Sequence, residues 1–275
     1  MLGEPMNENS TGRNAIVIAS MGHAAFAATM MAVGIQGLVH RDFATLWEPV
    51  PQGVPARGVL IYLCALVALA SGIGLLWRRA ASSASRLLLV FLLMWLLLLR
   101  VPHIFISPTL DVWYSSCQTA VIVAAAWVLY TWFASASDRR RFGFATGDKG
   151  VRTARGLYAA ALIPFGLAHF IYLQATAPLV PNWLPAHVAW AYFTGGAFIV
   201  AGIAVLIGVF ARLAAVLSAL QMGLFTLLVW VPIVASGRAN ASQWGEFAVS
   251  WALTAGGWVV ADSFRNKSWL AVGER

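Results

Sequence analysis

The sequence predicts an all-α membrane protein with eight transmembrane helices, arranged as two parallel four-helix repeats. Three observations lead there. Of the 275 residues, 60% are apolar and only 10% are charged, against about 25% charged in ordinary soluble domains. The apolar residues fall into eight runs, each near the length of roughly 20 residues that crosses a bilayer as a helix. Short motifs of the first half also return about 130 residues later. This composition excludes a disordered chain, a secreted disulfide scaffold and a soluble enzyme.

The runs cover residues 14–38, 58–77, 87–106, 112–133, 157–174, 188–210, 213–236 and 247–263. Each ends at Arg, Pro or a polar cluster. In lipid the backbone must satisfy its own hydrogen bonds, which leaves helices or closed barrels. Barrel strands alternate polar and apolar residues, and the stretch from Leu87 to Leu99 does not. The first run follows a polar stretch, residues 1–13, with Glu4 and Glu8. It is too long for the apolar core of a signal peptide and is expected to stay as the first helix.

Orientation follows from the cations. With the N-terminus inside, fourteen of the 18 basic residues and six of the ten acids fall on that side, so the net charge of +8 lies wholly there. The positive-inside rule then places both termini in the cytoplasm, in a cell (inner) membrane. The charges sit in short loops beside helices, where they serve topology and anionic headgroups rather than nucleic acid. Arg139–Arg141 form the one true cluster, an interfacial anchor or a partner-docking patch. Membrane lipids, and a membrane protein or oxidoreductase, are the expected partners.

The repeat is carried by Val50-Pro51-Gln52-Gly53-Val54-Pro55 and Val180-Pro181-Asn182-Trp183-Leu184-Pro185, with Pro51 and Pro181 130 residues apart. The same offset relates Tyr62 to Tyr192, Gly72-Ile73 to Gly202-Ile203, and Val101-Pro102 to Val231-Pro232. Gly37-Leu38-Val39-His40 matches Gly166-Leu167-Ala168-His169 at 129. Residues 14–133 therefore form a first repeat, 134–156 a basic linker and 157–263 a second repeat. Four spans return the chain to its starting side, so the repeats are parallel, related by a two-fold along the membrane normal.

His at the outer end of a first helix, the VPxWLP loop, Ala189-Trp190-Ala191-Tyr192-Phe193-Thr194-Gly195-Gly196 and Gly202-Ile203-Ala204-Val205-Leu206 resemble the DoxX family of small four-helix bacterial membrane proteins. The second half is similar over its full length, and the first looks like a degenerate copy. The resemblance implies a tandem DoxX-like protein tied to membrane redox complexes. Family members commonly carry a Glu shortly after the Tyr/Thr-Gly stretch, where this chain has Phe198.

Polar residues at membrane depth gather toward the outer face. His40, His169, Tyr62, Tyr192, Arg100, His103 and Trp183 are the candidate ligand-binding residues, since ionisable groups inside spans seek partners. His40 and His169 end equivalent helices. They transfer protons or contact a quinone-like headgroup, or else each donates to a loop carbonyl. Arg100 snorkels to headgroups or binds an anionic or quinone oxygen, with Asp111 as counter-ion. Val101-Pro102 should kink the third helix. Trp183 anchors the loop at the interface or stacks on a ligand.

No metal site is expected, because three His from separate loops make no ligand spacing. Cys64 and Cys117 fall in apolar runs, as small hydrophobes or as a redox pair facing across two helices. No Walker loop, GxSxG or HExxH is present. The expected function is a non-catalytic subunit or small-molecule binder, with quinone the one cofactor admitted; a solute transporter and an assembly protein are the alternatives. Reporter fusions after Asn182 and after Gly147 should report outside and inside respectively, and the reverse result overturns the orientation.

Overall fold

The computed structural model describes residues 16–48, 50 and 53–273. Regular structure among them is helical, with two isolated β-bridges. In chain order the helices longer than one turn are α1 (Met21–His40), α2 (Arg57–Leu76), α3 (Ala81–Ile106), α4 (Leu110–Phe133), α5 (Ala136–Arg141), α6 (Gly147–Ile171), α7 (His187–Ile207), α8 (Ala211–Ala235) and α9 (Ala241–Ser263). Seven of them, all but α5 and α9, are long and apolar enough to cross a membrane. The eighth predicted run lies within α9, whose first turns carry Ser242, Gln243 and Glu246. Farther along, α9 buries Val249, Ala252, Leu253, Val259 and Val260 against other helices. A helix sheathed by protein needs less apolar surface than one sheathed by lipid.

Local chemistry moves two edges from their expected places. The first helix starts at Met21, because the Ser20 side chain accepts a hydrogen bond from His23 N and caps it there. The polar residues 1–13 and Pro51 and Gln52 of the first loop motif lie outside the described residues. The basic linker is largely helical. Ser135 and Asp138 form a reciprocal capping box that starts α5, and α6 begins at Gly147, well before the expected apolar edge.

Glycines set the tightest packing. A Cβ on Gly34 of α1 would lie 2.6 Å from the Ala65 carbonyl oxygen, and one on Gly72 of α2 would lie 2.7 Å from that of Ala27. Between α6 and α7, a Cβ on Gly166 would strike the Gly195 carbonyl, and one on Gly202 would lie 2.7 Å from that of Ala159. Each pair is a small-residue crossing of the kind that membrane helices use to bring backbones together. The long helices α4 and α9 pack on each other; α4 also packs on α6, and α9 on α1.

α3 and α8 are each widened by a π-turn, Leu96–Arg100 and Thr226–Trp230, immediately before Val101-Pro102 and Val231-Pro232. Proline lacks an N–H and its ring crowds the preceding turn, so one wide turn accommodates it without breaking the helix. In α8 the Thr226 hydroxyl also meets Ser250 at 2.6 Å and Thr254 at 3.0 Å on α9.

Both described chain ends lie at the same end of the bundle. Ile16 bridges Trp77 in the α2–α3 turn, and Val272 bridges Val209 in the α7–α8 turn. The same tail end holds His23, whose Nδ1 accepts from Ala19 N and whose Nε2–H donates to the Leu75 carbonyl, both at 3.1 Å. It also holds Asp138, 1% exposed, which accepts from Ser135 Oγ at 2.6 Å and pairs with Arg86 at 3.0 Å. The Ser135 hydroxyl, backed by Arg86, holds the Asp138 carboxyl below the usual range.

Its stabilisation is therefore complete above about pH 4 and fades as pH falls through the depressed native value. Asp138→Asn should cost about 1–3 kcal/mol at neutral pH. In thermal melts of the detergent-solubilised protein, the gap between wild type and variant should close in strong acid; a gap that persists there contradicts the assignment.

Candidate functional site

α4 starts at Leu110, where the Thr109 hydroxyl accepts from Val112 N. On its first two turns Asp111, Tyr114, Ser115 and Gln118 stand at i, i+3, i+4 and i+7, a single helix face. That face lines a cleft of about 580 Å³ at the end of the bundle opposite the chain tails. Glu246 comes from the start of α9 and Arg57 from the head of α2. Glu48 and Val50 come from the loop after the 3₁₀ turn Thr45–Trp47.

The cleft gathers three acidic side chains and one guanidinium. Arg57 pairs with Asp42 at 3.2 Å and lies 4.9 Å from the Phe43 ring centre. Both partners of that pair are partly exposed, so it adds about 0–1 kcal/mol. Asp111 accepts a hydrogen bond from the Tyr172 phenol, which pushes the Tyr172 pKa up and ties the head of α4 to the turn after α6. Tyr114 is hydrogen-bonded to Gln118, and its ring rests 5.2 Å from that of Phe165 on α6.

Arg100 shapes this site from behind. It sits in the π-turn of α3, 4% exposed, and donates to the Trp47 carbonyl at 3.2 Å and to the Glu48 carbonyl. It therefore turns inward instead of snorkelling, and it clamps the turn that delivers Glu48 to the cleft. Trp47 is buried between Phe91 and Trp95, 5.5 and 5.3 Å away between ring centres. The charge, which is costly at membrane depth, is thus solvated by backbone carbonyls and attracted by the Glu48 carboxylate. Asp111, expected as its counter-ion, instead lines the cleft.

The other sequence candidates stand apart from the cleft lining. His40 is exposed at the end of α1. His169 is half-buried, with Nδ1 donating to the Phe165 carbonyl at 2.7 Å and its ring 5.6 Å from Phe198. Tyr62 and Tyr192 lie on exposed faces of α2 and α7. Trp183 is 70% exposed, and His103 is half-buried in the last turn of α3.

On the neighbouring helices, Gly34 faces Ala65 and Leu69, and Gly166 faces Gly195 and Ile199. Among the described residues no group of three or more His, Cys, Asp or Glu is placed to hold a metal ion. Cys64 and Cys117 are free thiols.

Sequence reasoning missed Glu48, Arg57, Tyr114, Ser115, Gln118 and Glu246. One signal was available: the polar i, i+3, i+4, i+7 face at the head of an otherwise apolar span. Comparison with family models, characterised proteins and solved structures finds no match to this chain.

Arg100→Met keeps most of the side-chain volume but strands the Trp47 and Glu48 carbonyls, which should cost about 1–3 kcal/mol each where they stay dry. Limited proteolysis should then cut within residues 41–56 faster than in wild type. Unchanged cleavage would show that Arg100 does not hold the turn.

Proposed function

We propose that this multi-pass membrane protein binds a small molecule with a polar head in the cleft between Glu48, Arg57, Asp111, Tyr114 and Glu246, and acts as a non-catalytic subunit or binding protein. The observation that carries this reading is the cleft itself. Charged and hydrogen-bonding groups from four separate segments converge on one open cleft at the mouth of an otherwise apolar bundle, a lining more polar than that of apolar ligand pockets and suited to a polar head. Arg57, Tyr114 and Gln118 can donate to a carbonyl or hydroxyl oxygen, a quinone-like ring included, while the three acidic side chains favour a ligand with N–H or O–H donors. The link to membrane redox chemistry rests on the DoxX resemblance alone.

The proposed architecture is eight spans with α9 as the eighth, in two parallel DoxX-like repeats, with both termini in the cytoplasm. Several features support it. Both chain tails lie at one end, as an even number of crossings requires. The π-turns recur 130 residues apart, each before Val-Pro. Ala56 and Ala186, also 130 apart, both enter a helix from left-handed backbone, with φ of 54° and 57°. The paired glycine crossings use the same neighbours in each half.

A transporter is the second reading, because α3 and α8 each carry a π-turn before Val-Pro at corresponding positions, and paired irregular helices line the sites of many carriers. Native mass spectrometry of small molecules that co-purify with the protein tests the primary reading. A bound species should be lost from Glu48→Gln/Asp111→Asn/Glu246→Gln and kept in His40→Ala/His169→Ala. The reverse pattern moves the site to the histidines, and a wild-type protein that carries nothing removes the binding reading.

A further inference from the structure

At the tail end, the turn between α5 and α6 has a character that neither the cleft nor the packing explains. Arg139, Arg140 and Arg141 occupy the last turn of α5, and all three are exposed. Among the described residues no carboxylate forms an ion pair with them. Directly after them Phe142 is 42% exposed and Phe144 71% exposed. Large aromatic side chains left open to water in a basic loop are unfavourable, because apolar surface and solvent do not mix.

The turn is also rigid. On one side the buried Asp138 binds Arg86 and Ser82 on the first turns of α3. On the other, the Trp127 indole N–H donates to the Ala145 carbonyl at 2.9 Å. Within the turn Phe142 N donates to the Asp138 carbonyl at 2.7 Å, and Ala145 N to that of Phe142 at 2.9 Å. Because Asp138 is occupied by Arg86, it does not neutralise the three arginines that follow. The exposed Arg78 and Arg79 lie in the turn just before α3, adding cations beside the same end.

We propose that residues 139–144 form a docking surface for anionic phospholipid headgroups, with Phe142 and Phe144 inserted at the acyl boundary and Arg139–Arg141 paired with lipid phosphates. Guanidinium groups match phosphate oxygens through two parallel hydrogen bonds. Aromatic rings settle at the level of the headgroups. A turn that is already fixed loses little freedom when lipid binds. The rigid pinning thus places charge and aromatic surface side by side at one membrane depth. The surface is independent of the cleft at the other end.

The test uses the full chain. Native mass spectrometry of the detergent-purified protein with phosphatidylglycerol and phosphatidylcholine in competition should show preferential retention of phosphatidylglycerol. That preference should fall roughly fivefold for each arginine replaced by Gln, and should fall less in Arg139→Lys/Arg140→Lys/Arg141→Lys, which keeps the charge that sets topology but loses the two-bond geometry.

In parallel, a nitroxide at Phe144→Cys, in a chain with Cys64→Ala and Cys117→Ala, reports depth in vesicles. It should become oxygen-accessible and shielded from an aqueous nickel chelate in phosphatidylglycerol vesicles, and less so in phosphatidylcholine. Equal depth in both lipids would make the turn a general apolar anchor and overturn the proposal. So would a label open to the chelate in both, or a lipid preference unchanged by the Gln substitutions. If inorganic phosphate added to phosphatidylcholine samples displaced the preference as well as lipid does, the surface would be a free-anion site and the proposal would again fail.

Discussion

Two helix pairs, α1 with α2 and α6 with α7, approach so closely that one methyl group on Gly34, Gly72, Gly166 or Gly202 would meet a backbone carbonyl, and the rest of the bundle is arranged around those crossings. In a bilayer lipid tails are as apolar as Leu, so burying apolar surface does not by itself bring helices together. Association rests on dispersion between closely packed backbones and on a few polar contacts. With each first pair locked, α4 packs on α6, α9 packs on α1, and α4 and α9 pack on each other. The cleft exists because the heads of these two helices carry polar residues where the rest of their length is apolar and packed.

Several polar groups inside the bundle are satisfied close to where the chain puts them, whereas the Trp47 and Trp95 indole nitrogens and the Ser71 hydroxyl are buried without a hydrogen-bond partner. Tyr158 is fully buried with its hydroxyl 2.9 Å from Ser218 on α8. Arg155 donates to Ser263 Oγ at 2.9 Å and lies 3.7 Å from the centre of the Phe264 ring, joining α6 to the end of α9. Arg100 uses carbonyls of a loop, and His23 uses backbone on both ring nitrogens. An unsatisfied group in this setting costs several kcal/mol in order of magnitude. These side chains therefore act as fasteners between helices, whereas the cleft residues keep part of their bonding capacity open.

Hydropathy made the helical class and most helix positions legible, because apolar runs long enough to span have few other solutions. The helix of Ala241–Ser263 was only partly legible: its shielding by neighbours relaxes the apolar demand that hydropathy measures. The linker helix was missed because its stability comes from the Ser135–Asp138 capping box and a tertiary ion pair with Arg86, not from periodicity. The cleft was less legible than the helices that form it. His40 and His169 draw attention by residue type, whereas the cleft residues do so only by position. Tyr114, Gln118 and Glu246 look ordinary one at a time and gain meaning only when α4 and α9 are laid side by side.

Glycine-to-alanine substitutions, read as melting temperature of the purified protein, test the central claim most directly. Gly34, Gly72, Gly166 and Gly202 each face backbone at less than 3 Å from a built Cβ, while Gly156 and Gly196, in α6 and α7, have nothing within 4 Å. The two groups should respond with opposite signs. The first four should lose about 1–3 kcal/mol through overpacking, and the last two should gain up to about 1 kcal/mol from helix propensity. For a chain of this length each kcal/mol corresponds to a shift of roughly 2–4 °C. If all six substitutions moved the melting temperature in the same direction, the close crossings would not be what organises this fold.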